Sequence, residues 1–140
     1  MIKTFPEARV SWSINTLDEG FRSDMDNAAS IERRLSAMGA FYRAGIRTTC
    51  FISPIFPGIT DVEAIIRRVK KQCSLIWLEN LNLRGSCKTV MMQYIQDARP
   101  HLLPLYREIH SVGIVMNHRA EMIAAILAVF LCPQIKQKTF

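Results

Sequence analysis

The sequence predicts an α/β fold, a partial (βα) barrel of about three to four βα units. Two observations carry that expectation. Runs of β-favouring residues alternate with longer stretches of helical periodicity, and strands separated by helices pair in parallel. The stretch 48–61, TTCFISPIFPGITD, then packs one whole βα junction into a few residues. Thr48, Thr49, Cys50, Phe51 and Ile52 favour extended backbone. Pro54 and Pro57 have no amide to give to a ladder, so the strand is expected to stop there. Gly58 admits backbone angles closed to other residues. Thr60 and Glu63 have the spacing of a capping box, which predicts a helix beginning at Asp61. Ligands of α/β proteins collect at such junctions, beyond the carboxyl ends of the strands.

The other elements follow in order. RVSWSINT, residues 9–16, alternates cleanly: Val10, Trp12 and Ile14 point one way, Ser11, Ser13 and Asn15 the other. In a barrel the apolar set lies under the helices, and the polar set at the carboxyl end lines the cavity. Residues 17–29 are rich in Asp, Glu, Asn and Gly and read as a long connection. Ser30 is a plausible N-cap for a helix to Ala44, ended by Gly45. Ile31, Leu35, Met38 and Tyr42 share its packing face, while Arg33, Arg34 and Arg43 read as solvent contacts. The helix from Asp61 to Lys71 places Val62, Ile65, Ile66 and Val69 on one face and four basic residues in its last turns, where they suit the helix dipole. SLIWLENLNL, residues 74–83, holds a third strand and ends in Glu79, Asn80 and Asn82. A helical pattern spans 87–99 and breaks at Pro100; a short helix is expected over 101–110. Val112 to Met116 reads as a short fourth strand, 119–132 as an apolar helix, and 134–140 as a frayed tail.

Composition narrows the function classes. The chain has 140 residues, 49% hydrophobic and 21% charged, which suits one globular domain. A net charge of +6 is compatible with nucleic acid or an anionic cofactor, but the basic residues do not interleave with aromatics along one face. The apolar run 122–132 is too short to span a bilayer, and the first residues hold no apolar core of a signal peptide, so no membrane partner and a cytoplasmic location are expected. Cys50, Cys73, Cys87 and Cys132 show no CxxC or CxxxCxxC spacing. With His101, His110 and His118 equally scattered, no metal site is predicted.

Three segments, VSWSINTLDE, SIERRLSAMGAFYRAGIRTTCFISPIFPGITD and IWLENLNLR, resemble the later half of radical SAM enzymes. The resemblance is to the spore-photoproduct-lyase-like, or DNA-repair-photolyase-like, branch, including its mobile-pair proteins. It covers 9–110 and fades from Ser111 on. The division it implies is 1–110 as the C-terminal half of a radical SAM type barrel, and 111–140 as a divergent tail with an apolar helix.

In that family a partial barrel binds S-adenosylmethionine and a four-iron four-sulfur cluster. A CxxxCxxC loop after the first strand holds the cluster, and the radical made from the cofactor abstracts hydrogen from the substrate. That loop has no counterpart here, so the cluster is expected in the full-length family without being ligated by this chain. The cofactor-binding residues implied by the resemblance are Ser13, Asn15 and Thr16 near the ribose and methionine part, Ser53, Pro54 and Ile55 near the adenosyl part, and Asn80, Leu81 and Asn82 at the adenine edge. Hydroxyls and amides suit those places because they donate and accept hydrogen bonds. No catalytic hydrogen-atom donor is assigned.

The resulting expectation is an incomplete radical SAM protein, inactive alone. Its partner would be an N-terminal half or separate chain that completes the barrel, or another copy in a homo-oligomer. The alternatives are a basic nucleic-acid-binding module and a non-functional gene fragment.

Overall fold

The computed structural model describes residues 7–81, 86–111 and 135–137. Its elements are β1 (Arg9–Ser13), α1 (Glu19–Met25), α2 (Ile31–Arg43), β2 (Arg47–Ile55), α3 (Val62–Val69), β3 (Leu75–Asn80), α4 (Ser86–Ala98), a 3-10 turn at Pro100–Leu102, α5 (Leu103–Ser111) and β4 (Ile135–Gln137). The four strands form one sheet in the order β1-β2-β3-β4, every pair parallel.

The α/β class stands, but the expected partial (βα) barrel of the radical SAM type does not. The described strands make an open sheet with β1 at one edge and β4 at the other. A barrel needs strands tilted and staggered until the first and last pair. Among the described residues β1 pairs with β2 alone and β4 with β3 alone. Alternating strand and helix patterns are common to open sheets and barrels, so the sequence pattern did not separate them.

One face of the sheet carries the main core. Cys50 and Ile52 of β2 and Ile76 and Leu78 of β3 are fully buried, and Ile14 nearly so. They pack under Leu35 and Met38 of α2 and Ile65, Ile66 and Val69 of α3. Fully burying such a side chain contributes about 1.5–3 kcal/mol. Trp12 joins them, its ring centroid 5.3 Å from that of Phe41. The periodicity thus assigned the packing faces of β1, α2 and α3 correctly. A second cluster, Phe21, Phe56, Met91, Ile95 and Tyr106, joins α1, α4 and α5 beyond the carboxyl end of β2. Residues of the opposite strand parity, Thr49, Phe51, Leu75 and Trp77 among them, are half-buried and belong to neither cluster.

Local chemistry sets the boundaries. Ser30 caps α2 by accepting from the Arg33 amide, and Gly45 ends it with φ +79°. For α3 the cap is Asp61, whose carboxylate accepts from the Ala64 amide at 2.9 Å, rather than Thr60. The strand β2 continues past Pro54 to Ile55, with a cis Ser53–Pro54 peptide and a register shift between Ile52 and Ile55. Residues 17–29 are not simply a connection: Asp18 caps the helix α1, which buries Phe21. Part of the expected frayed tail, Ile135–Gln137, joins the sheet. The expected strand 112–116 and helix 119–132 lie outside the described residues. Among the described residues, no helix is long and apolar enough to cross a membrane.

Candidate functional site at the strand tips

Three parallel strands end side by side, and polar groups link them. Ser13 Oγ, at the end of β1, donates to the Ser53 carbonyl at 2.9 Å. Ser53 Oγ in turn donates to Glu79 Oε2 on β3 at 2.8 Å. The chain therefore runs from hydroxyl through hydroxyl to carboxylate across all three strands. Each serine oxygen keeps lone pairs to accept with, and the Glu79 carboxylate keeps further acceptor positions. Sequence reasoning took Glu79 as part of a polar strand end without assigning it to the site; its alternation parity with Ser53 was the available signal.

The remaining predicted residues divide between backbone support and the tips. Asn15 offers its carbonyl to Thr60 Oγ1 at 2.8 Å, and the same Thr60 oxygen accepts from the Phe56 amide at 2.8 Å. Thr60 thus locks the loop after β2 onto the chain after β1. Thr16 is buried, and its hydroxyl accepts from the Asp18 amide at 3.0 Å. Pro54 follows the cis bond, and Ile55 is a core residue in register with Asn80. The Leu81 amide donates to the Ile55 carbonyl at 3.2 Å. Asn82 lies outside the described residues. The structure therefore brings Ser13, Ser53 and Glu79 into one chain and gives Thr16 and Ile55 packing roles.

Asn80 is different. Its Oδ1 is out of solvent and has no hydrogen-bond partner among the described residues. A buried acceptor without a donor costs about 1–3 kcal/mol. Thr48 Oγ1, Trp77 Nε1 and the Tyr106 hydroxyl are likewise buried without a partner among the described residues, but Asn80 Oδ1 stands at a strand tip.

Beside the tips opens an apolar cavity of about 320 Å³, lined by Met25, Phe56, Leu81, Val90, Met91 and Tyr94 among others. Leu81 belongs both to the predicted set and to this lining. Val90 is 69% exposed, an unusual setting for a large apolar side chain.

Charge around the tips is organised by two arginines. Arg34 was expected to face solvent. Its guanidinium instead donates to the Ala29 carbonyl, the Ser13 carbonyl and both carboxylate oxygens of Asp26. Arg99 NH2 donates to Asp18 Oδ2 at 2.9 Å and lies over the Phe21 ring. Hydrogen bonds from the Phe21 amide and then from Arg99 hold the Asp18 carboxyl below its usual range.

Metal-ligand chemistry is not assembled here. Among the described residues no three His, Cys, Asp or Glu side chains form a group able to hold an ion. Cys50 and Cys73 are buried, and burial followed by the nearby Cys73 pushes the Cys50 thiol up, away from the thiolate a ligand requires. Cys87 is exposed on α4.

The fold and these tips define a small α/β protein with a parallel sheet and a polar crossing at the carboxyl ends of its strands. Over 87 residues it is 34% identical to an uncharacterized protein of Methanocaldococcus jannaschii, a match covering 61% of this chain and 34% of that protein. The chain thus matches about a third of the length of that relative. No protein-family model matches the chain, and no solved structure matches it.

Proposed function

We propose that the strand tips bind the nucleoside part of S-adenosylmethionine, in a radical SAM protein of the spore-photoproduct-lyase-like branch. The observation that carries this reading is Asn80 Oδ1, an acceptor out of solvent and without a donor among the described residues. It sits one residue beyond Glu79, the end of the Ser13–Ser53–Glu79 chain. An adenine amine supplies the donor that Asn80 lacks, and ribose hydroxyls suit a carboxylate flanked by serines. In this reading the chain's residues bind and orient the nucleoside.

The thiols of Cys50, Cys73 and Cys87 do not fit a four-iron four-sulfur cluster, so we assign its ligands to residues outside this sequence, in an N-terminal half or a partner chain, and derive no step through it. The radical chemistry belongs to that complete assembly.

Equilibrium dialysis with S-adenosylmethionine tests the reading. The chain is expected to bind one equivalent, and Asn80→Ala to weaken binding about tenfold, the worth of one well-placed hydrogen bond. Absence of binding at about 1 mM ligand, an affinity below about 4 kcal/mol, overturns it.

A further inference from the structure

We propose that the apolar cavity beside the strand tips binds a small uncharged ligand built around two fused rings, at a site separate from the nucleoside. Its place in the fold is the first reason. Phe56 follows the last residue of β2 and Leu81 the last residue of β3, so the cavity opens at the carboxyl ends of two parallel strands. Ligands of parallel α/β sheets collect there. The second reason is that contacts of their own hold the walls in place. The Phe56 amide donates to Thr60 Oγ1, and the Phe56 ring meets Phe21 edge-on with centroids 5.0 Å apart. On α4, the Tyr94 hydroxyl donates to Asp24 Oδ2 at 2.9 Å. Neither ring can collapse into the space without breaking these contacts. Protein interiors leave few voids, because empty apolar space forfeits packing. A cavity of about 320 Å³ kept open in this way is a preformed pocket.

The lining selects the ligand. No described residue that lines the cavity carries a charge, so a phosphate or carboxylate finds no partner there. Met25 and Met91 set thioethers beside the Phe56 and Tyr94 rings, a lining that suits a flat aromatic group. The Tyr94 hydroxyl is already given to Asp24, which leaves the Ser86 hydroxyl for one polar substituent. Size sets the rest: an apolar cavity of about 150 Å³ takes benzene, so about twice that volume takes two rings. The mouth argues against a macromolecule. Val90 is exposed there, while Phe56 and Met91 are already buried. One exposed valine falls far short of the roughly 1,000 Å² that a stable protein interface buries. Glu79 and Asn80 do not line this space, so the nucleoside site stays free.

Fluorescence titration of the full chain with prodan is the test. Prodan is an uncharged two-ring dye whose emission moves to the blue in apolar surroundings. One equivalent should bind, with half-saturation on the order of 10 μM. Val90→Asp places a charge at the mouth and should weaken binding about tenfold or more. Leu17→Asp, at an exposed leucine outside the lining, should leave binding unchanged. Bound dye should slow iodoacetamide alkylation of the exposed Cys87 about tenfold, followed by peptide mass. Circular dichroism confirms that each variant is folded; if Val90→Asp unfolds, Cys87→Trp blocks the mouth instead. No cofactor is present, and adenosine at about 1 mM should not displace the dye, so failure here is separate from failure of the nucleoside reading. Four results overturn the proposal: no blue shift at about 0.1 mM dye, binding or Cys87 protection that the mouth variant leaves intact, displacement of the dye by adenosine, or a dimer of the chain that the dye takes apart.

Discussion

Ser53 Oγ donates to Glu79 Oε2 at 2.8 Å, tying the carboxyl end of β2 to that of β3. The Ser53 carbonyl meanwhile accepts from Ser13, so one residue joins all three strand ends. Ser53→Ala removes the donor to the carboxylate and leaves the backbone carbonyl in place. Hydrogen bonds to charged groups contribute about 1.5–3 kcal/mol. Half-exposure of both residues places the expected loss below that range, about 1 kcal/mol, read as a lower urea midpoint with an unchanged slope. Glu79→Gln should lose less, since its amide oxygen still accepts.

Thr60 joins two loops through one oxygen, accepting from Phe56 and donating to Asn15. Thr60→Val keeps the shape but orphans both groups, next to a Phe56 side chain that is 6% exposed. The expected cost is about 2 kcal/mol, and Thr60→Ser should recover most of it. Equal stability of the Val and Ser variants in denaturant titration would contradict this role.

Two glycines with positive φ separate backbone strain from packing. Gly45 has φ +79° and open space where a Cβ would stand, so Gly45→Ala should cost only the left-handed strain, about 1 kcal/mol. Gly58 has φ +71°, and a Cβ there would meet Leu102 Cδ2 at 2.8 Å. Gly58→Ala should therefore cost more, and Gly58→Ala with Leu102→Ala should bring back only the steric part. Thermal melts of the three variants order these effects.

Asp18 gives acid stability a defined direction. Its folded carboxyl lies below the ordinary 3.8, chiefly through the Phe21 amide and then Arg99. A group depressed on folding adds stability that is complete above its unfolded value and fades as pH falls through its folded one. The melting-temperature gap between the wild type and Asp18→Asn should therefore hold constant from pH 7 to 5 and close below 3.8. A gap that widens on acidification contradicts this.

What was legible in the sequence was what periodicity controls. Val62, Ile65, Ile66 and Val69 read as one face and are buried together, and the Ser30 cap and Gly45 stop bound α2 as expected. The misses have physical causes. Thr60 could cap or bridge, and its tertiary contact with Asn15 chose the bridge, while Asp18, read only as part of a connection, caps α1 through the neighbouring Gly20 and Phe21 amides. Arg34 sits on a polar helix face, but its fork reaches carbonyls that are far away in sequence. Pro54 lacks an amide, yet a strand tolerates it where the ladder already shifts register. Sheet closure is a global property that no local pattern encodes, so the barrel expectation failed there. At the strand tips, Ser13 and Ser53 were legible from alternation, while the role of Glu79 emerged only from its distance to Ser53.

The most direct measurement is an amide-resolved NMR titration of the chain with S-adenosylmethionine. Nucleoside binding at the strand tips predicts saturable shifts concentrated at Ser13, Ser53, Glu79, Asn80 and Leu81, with the amides of α2 and α3 unmoved. Shifts absent at the solubility limit of the ligand, or centred on residues away from these tips, would contradict it.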